Sequence, residues 1–142
     1  FIHNPDLIIV CFGLNDVNGT LEDYIESLEI IFNRCLQSDS ETIFMTPNMM
    51  SSNVSPTIHP SFIELAEKLA KRQNEGILDR YIDAARALCK EEDVPVCDVY
   101  AKWKRMAELG VNTTELLSNK LNHPTREMHN LFAYSLVETM MR

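Results

Sequence analysis

Six consecutive apolar residues, Leu7-Ile-Ile-Val-Cys-Phe12, restrict this chain more than any other feature. The run is rich in β-branched residues, follows Asn4-Pro5-Asp6 and ends at Gly13. A strand with no polar face must be covered on both sides, as in a parallel sheet held between layers of helices. The chain that follows supplies those helices. Thr20 and Asp23 stand at capping-box spacing, and Leu21, Tyr24, Ile25, Leu28, Ile31, Phe32 and Cys35 recur as one helical stripe.

The alternation continues to the end of the sequence. Glu41–Thr46 reads as a second strand stopped by Pro47, and residues 48–60 read as a polar loop punctuated by Pro56 and Pro60. Ser61 and Glu64 suggest another capping box, opening a helix with Phe62, Leu65, Ala66, Leu69 and Ala70 on its inner face. Asn74-Glu75-Gly76 breaks that pattern before a helix turning Leu78, Tyr81, Ile82, Ala85, Leu88 and Cys89 inward. Val94–Val99 is a third strand, and a helix over 100–109 stops at Gly110. A last helix beginning near Thr125 is expected to bury Met128, Leu131, Phe132, Leu136 and Met140. Strand and helix in strict alternation predict a doubly wound α/β layer sandwich, a single domain over residues 1–142. With only three strands visible, the first would lie at an open edge. Either a second chain covers that edge, or further strands precede residue 1, an expectation that Phe1 in place of Met also prompts.

Composition narrows the function. Thirteen Lys and Arg against 21 Asp and Glu give a net charge of −8. That balance disfavours nucleic acid and anionic membrane surfaces, both of which are bound by clustered cations. No apolar run approaches the ~18 residues that a bilayer crossing needs. Cys11, Cys35, Cys89 and Cys97 form no CxxC pair and sit among apolar neighbours, so buried, reduced thiols and a cytoplasmic location are expected.

Ligands of open α/β sheets bind beyond the carboxyl ends of the strands. That places interest on Gly13-Leu14-Asn15-Asp16 after the first strand, on Asn48 and the loop to His59 after the second, and on the segment leading to His123. A side-chain amide such as that of Asn15 can donate to an oxyanion without any change of protonation. An imidazole such as that of His123, held before Pro124, suits general-base work on a hydroxyl. Each also has an ordinary reading, Asn15 as a turn former and His123 as a loop residue. Asn48 and His59 could touch substrate from the second loop or simply be loop residues.

Taken together, the segment from Pro5 to Asp16 resembles the GxND block of the SGNH, or GDSL-type, esterases and lipases. Asn122-His123-Pro124, with His129 six residues beyond His123, resembles their final block. The resemblance covers essentially the whole chain. It implies a flavodoxin-like three-layer α/β/α sandwich with a parallel sheet, and hydrolysis of a small-molecule carboxylic ester through an acyl-serine. Asn15 would then serve the oxyanion, His123 would be the general base, Gly13 would shape the turn and Asp16 would tie the loop down. His129 would be structural.

Two departures follow from the same resemblance. The block bearing the nucleophilic Ser, and a second oxyanion donor, would lie before Phe1, in two βα units of ~30 residues each. Ser38-Asp39-Ser40 imitates that block but falls at the wrong end of the sheet. The triad acid is expected about three residues before the His, where Lys120 stands, with Asn119 one further back; Asp98 is a distant substitute. A non-catalytic binding or scaffolding module of the same fold is the alternative. No cofactor is expected, because glycines 13, 19, 76 and 110 never cluster into a phosphate loop. No metal is expected either, since His59, His123 and His129 lack ligand spacing.

Overall fold

The computed structural model describes residues 4–142. Three parallel strands, β1 (Leu7–Val10), β2 (Glu41–Met45) and β3 (Val96–Cys97), lie in the order β1-β2-β3. Five helices flank them: α1 (Leu21–Gln37), α2 (Ile63–Asn74), α3 (Ile77–Glu91), α4 (Val99–Glu108) and α5 (His129–Met140). Leu7 registers with Glu41 and Val10 with Phe44, so every loop after a strand emerges at the same end of the sheet. This is an α/β fold built of parallel strands and covering helices, as the strand–helix alternation implied.

Local chemistry explains where most elements begin. The Thr20 hydroxyl accepts the Asp23 N–H at 3.1 Å and opens α1, whose Tyr24, Leu28, Phe32 and Cys35 are buried. Phe32 meets Phe44 of β2 edge-to-face, their centroids 6.0 Å apart, which places α1 on that side of the sheet. Ile43 and Met45 alternate to the other side, and α5 lies against β3. All six inward positions expected on α3 are buried, from Leu78 to Cys89. Gly76, at φ +70°, makes the left-handed turn that separates α2 from α3.

Several expectations are corrected. The apolar run of residues 7–12 is not covered on both faces: Ile9 of β1 is 41% exposed, and just beyond the strand Phe12 is 50% exposed and Cys11 is exposed while the other three thiols are buried. The reason is its place at the sheet edge, where α1 covers one side and α5 lies over β3 instead. β3 is only two residues long, because Pro95 has no N–H to give and Asp98 already caps α4 by accepting the Ala101 N–H at 3.1 Å. The Ser61–Glu64 capping box does not form. The His59 imidazole accepts the Ser61 N–H, Pro60–Phe62 makes a 3₁₀ turn and α2 starts at Ile63, leaving Phe62 and Leu65 exposed. α5 begins at His129 and its apolar residues are only partly covered, with Met140 exposed. The loop after β2 is not a solvated one: Asn48, Met49, Met50, Ser51 and Ser55 are all buried.

Candidate functional site

Gly13 starts the site. At φ +124° it holds a conformation that side-chain-bearing residues rarely adopt, and a Cβ there would stand 2.9 Å from the Tyr24 hydroxyl. Its N–H donates to the Asp16 carboxylate at 2.8 Å, closing a tight turn around Leu14 and Asn15. The Tyr24 hydroxyl donates to the Phe12 carbonyl at 3.3 Å, and its burial, with Asp16 nearby, keeps the phenol protonated far above its ordinary range. Residues Asp16–Asn18 then form a 3₁₀ turn with Asn15 at its head. The backbone carbonyl of Asn15 is occupied by the Asn18 amide at 2.8 Å, whereas its side chain makes no capping bond and is exposed. Its NH₂ therefore points from a fixed backbone with no structural duty in the turn.

A cavity of about 460 Å³ opens beside it, lined by Cys11, Phe12, Gly13, Leu14, Asn15, Asp16, Pro47, Asn48 and Phe132. The lining is mostly apolar with a few convergent polar groups, the pattern of a small-molecule site. Asn15, Gly13, Asp16 and Asn48 are thus brought to one place from two loops. Asn48, however, is 3% exposed and donates to the Met49 carbonyl at 2.8 Å and the Asn122 carbonyl at 2.9 Å. Instead of reaching for a ligand, its amide fastens the segment that carries His123. Phe132 and Cys11 were missed as lining residues. In the sequence Phe132 was indistinguishable from a core position on α5, and Cys11 from the buried middle of a strand.

His123 is exposed and sits one residue past that fastened carbonyl. Its backbone N–H donates to the Asn119 side chain at 3.0 Å, and its carbonyl accepts the Ser118 N–H at 2.7 Å. Neither His123 nor His59 lines this cavity, and His59 caps the 3₁₀ turn at Pro60 and bonds the Ser61 hydroxyl at 2.8 Å. The exposed His129 ring bonds the Thr125 carbonyl at 2.9 Å, at the start of α5. Ser38 and Ser40 are engaged with the Cys35 and Pro5 carbonyls at the opposite end of the sheet. Among the described residues, no group of three or more His, Cys, Asp or Glu is placed to hold a metal ion.

Neither the residue at the expected triad-acid position nor the distant substitute is bonded to the His123 ring. Lys120 pairs with Glu115 at 2.9 Å. Asp98 receives Arg86 through both carboxylate oxygens, at 3.0 and 2.9 Å, as well as the Thr46 hydroxyl. Partial burial pushes the Asp98 carboxyl up, but Arg86, the Ala101 N–H and Thr46 outweigh it and hold the group below the usual carboxylate range. A folded value below the unfolded one makes this pair stabilising above ~pH 4 and lost as pH falls through the depressed value. Arg86→Met should therefore lower the thermal midpoint near neutrality, and the gap from wild type should close as pH falls toward 3 in a melting series. A gap that stays constant with pH would refute the assignment.

The sequence matches the family model of the GDSL-like lipases/acylhydrolases over residues 2–131. No curated protein sequence matches significantly. Among solved structures, the acetylxylan esterase Axe2 of Geobacillus stearothermophilus superposes with a TM-score of 0.72 at 16% identity, over 97% of this chain and 60% of its own. LAE5, an alpha/beta hydrolase enzyme from the metagenome of Lake Arreo, Spain, superposes at 0.70 with 18% identity, over 96% of this chain and 60% of its own. The chain thus spans about 60% of the length of these two structures.

Proposed function

Because this chain belongs to the GDSL-like lipase/acylhydrolase family, we propose that it forms the oxyanion and general-base part of a serine ester hydrolase. The observation that carries this reading is an exposed, structurally idle Asn15 amide at the rim of a largely apolar cavity. A serine from outside residues 1–142 attacks the ester carbonyl. Its proton passes to the His123 imidazole as the Oγ–C bond forms, and the tetrahedral oxyanion accepts the Asn15 N–H. Collapse breaks the C–O bond to the alkoxide, which takes the proton back from His123. Water, deprotonated by the same imidazole, then releases the acid and the serine.

The superposing structure named as an acetylxylan esterase makes an acetylated oligosaccharide the first substrate to test. The free edge of β1, with Ile9 and Phe12 exposed, is where a further strand or a second chain would pair. None of the described helices is long and apolar enough to cross a membrane. The free thiols suit a reducing, cytoplasmic setting.

The second reading is a binding or scaffolding module, favoured by the engagement of Lys120 with Glu115 and of Asp98 with Arg86. An intact-mass spectrum of the protein from its native source, before and after a fluorophosphonate, separates the two. The hydrolase reading expects a mass well above 16.3 kDa and one stoichiometric adduct on a serine outside this segment. A protein that takes no adduct and turns over no ester is the binding module.

A further inference from the structure

The loop bearing His123 is tied down to an unusual degree for a surface segment. Loops commonly leave their backbone groups to water. Here all six backbone donors and acceptors of residues 121–123 are bonded within the protein. The N–H groups of Leu121, Asn122 and His123 all donate to one atom, the Asn119 Oδ1, each at 3.0 Å. The Leu121 carbonyl accepts the Ser51 N–H at 2.7 Å, the Asn122 carbonyl accepts the Asn48 amide at 2.9 Å, and the His123 carbonyl accepts the Ser118 N–H at 2.7 Å and hydroxyl at 3.1 Å. Asn119 spends its own NH₂ on the Asn122 Oδ1 at 3.0 Å.

The loop is also held in a conformation that it would not choose alone. Lys120 stands at φ +58°, in the left-handed region, and is kept there by its ammonium on the Glu115 carboxylate at 2.9 Å and carbonyl at 3.0 Å. Both ends are closed, by the Leu117–Pro124 bridge and by the Thr125 N–H on the Leu116 carbonyl. Structure that over-determines a strained turn is what a precisely placed side chain needs.

We propose that Asn119 is the positioning residue of His123: its side-chain oxygen gathers three successive N–H groups and fixes the backbone that carries the imidazole. Asn48 acts with it from the cavity side, through the Asn122 carbonyl. This rests on the general-base reading of His123, although the order it imposes on the ring can be measured separately. An amide oxygen suits the task because three donors converge on it while the NH₂ satisfies Asn122. An aspartate has the same reach and accepts the same three bonds, and the Asn122 amide can turn to donate to it. A glutamine, one methylene longer, carries its oxygen off the point of convergence.

The test uses the full-length protein with p-nitrophenyl acetate as probe, together with the NMR signals of the His123 ring. Asn119→Ala should lower kcat about 10- to 100-fold with KM changed less than about twofold, because a catalytic group displaced by about an ångström loses rate more than binding. Asn119→Asp should recover most of that loss. The His123 ring signals should broaden or shift in Asn119→Ala and return in Asn119→Asp. If Asn119→Ala does not fold, Asn119→Gln takes its place against Asn119→Asp. The proposal is overturned if the ring signals are unchanged in Asn119→Ala, if kcat stays within about twofold of wild type, or if Asn119→Asp falls as far as the alanine variant. Full activity in His123→Ala would instead sink the general-base reading, and the ring signals would then decide the positioning role alone.

Discussion

His123→Ala in the full-length protein should lower kcat/KM for an ester substrate by about 10⁴-fold, roughly 5.5 kcal/mol of transition-state stabilisation. Its thermal midpoint should barely move. The two effects separate because of how the residue is built in. The loop is held through the backbone of residue 123, whose N–H meets Asn119 and whose carbonyl meets Ser118, and alanine keeps both contacts. The exposed imidazole supports no packing whose loss would cost more than a few tenths of a kcal/mol. What is lost, on the proposed mechanism, is the group that takes the serine proton and returns it to the alkoxide. Steady-state kinetics and a melting curve on the same preparation check both halves. A loss of less than about tenfold would show that another group carries the proton.

Asn15→Ala should cost about 10²- to 10³-fold in kcat with little change in KM, the usual consequence of removing one oxyanion donor. The ground-state carbonyl needs that donor far less than the tetrahedral oxygen does, so the loss falls on the rate. Stability should again be nearly unchanged, because the Asn15 side chain caps nothing and the turn is closed by Gly13 on Asp16. Asn15→Asp is expected to do at least as much harm. It keeps the shape, removes both donors and sets a negative charge against a developing negative charge. An Asn15→Ala enzyme that loses binding but keeps kcat would move this residue from transition-state stabilisation to substrate holding.

The four residues of the proposed site, Asn15, His123, Asn48 and Asn119, differ in how openly the sequence displays them. Asn15 and His123 were visible because each follows or precedes a strong local signal, an apolar strand ending at glycine in one case and a proline in the other. Asn119, in the loop of His123, and Asn48, in the loop after β2, carry no periodicity. Asn48 read as a possible ligand contact, and only its burial against Asn122, 74 positions away, revealed it as a fastener. His59, for which the sequence leaves substrate contact and a plain loop role both open, bonds Ser61 locally and pre-empts the capping box that Ser61 and Glu64 offer. The polar loop after β2 looked solvated because its hydroxyl- and amide-bearing residues are hydrophilic one by one. In the fold the Asn48 amide meets the Met49 and Asn122 carbonyls, and the backbone N–H groups of Met50 and Ser52 meet Gln73 and Thr114, so most of that polarity is satisfied inside while the buried Ser51 hydroxyl stays without a partner.

By itself, the sequence determined the elements whose causes are local. These are the helical stripes of α1 and α3, the Thr20 cap, the glycine turns at Gly13, Gly76 and Gly110, and the parallel strands that the alternation requires. Periodicity and capping act over a few residues, so they are readable one window at a time. Tertiary structure alone decided that β3 ends after two residues, that the loop after β2 is buried, and that the loop of His123 is held by Asn119 and Asn48. Those outcomes depend on which groups distant in the chain arrive at the same donor, acceptor or apolar face. A hydrogen bond spanning dozens of residues leaves no pattern in the neighbourhood of either partner.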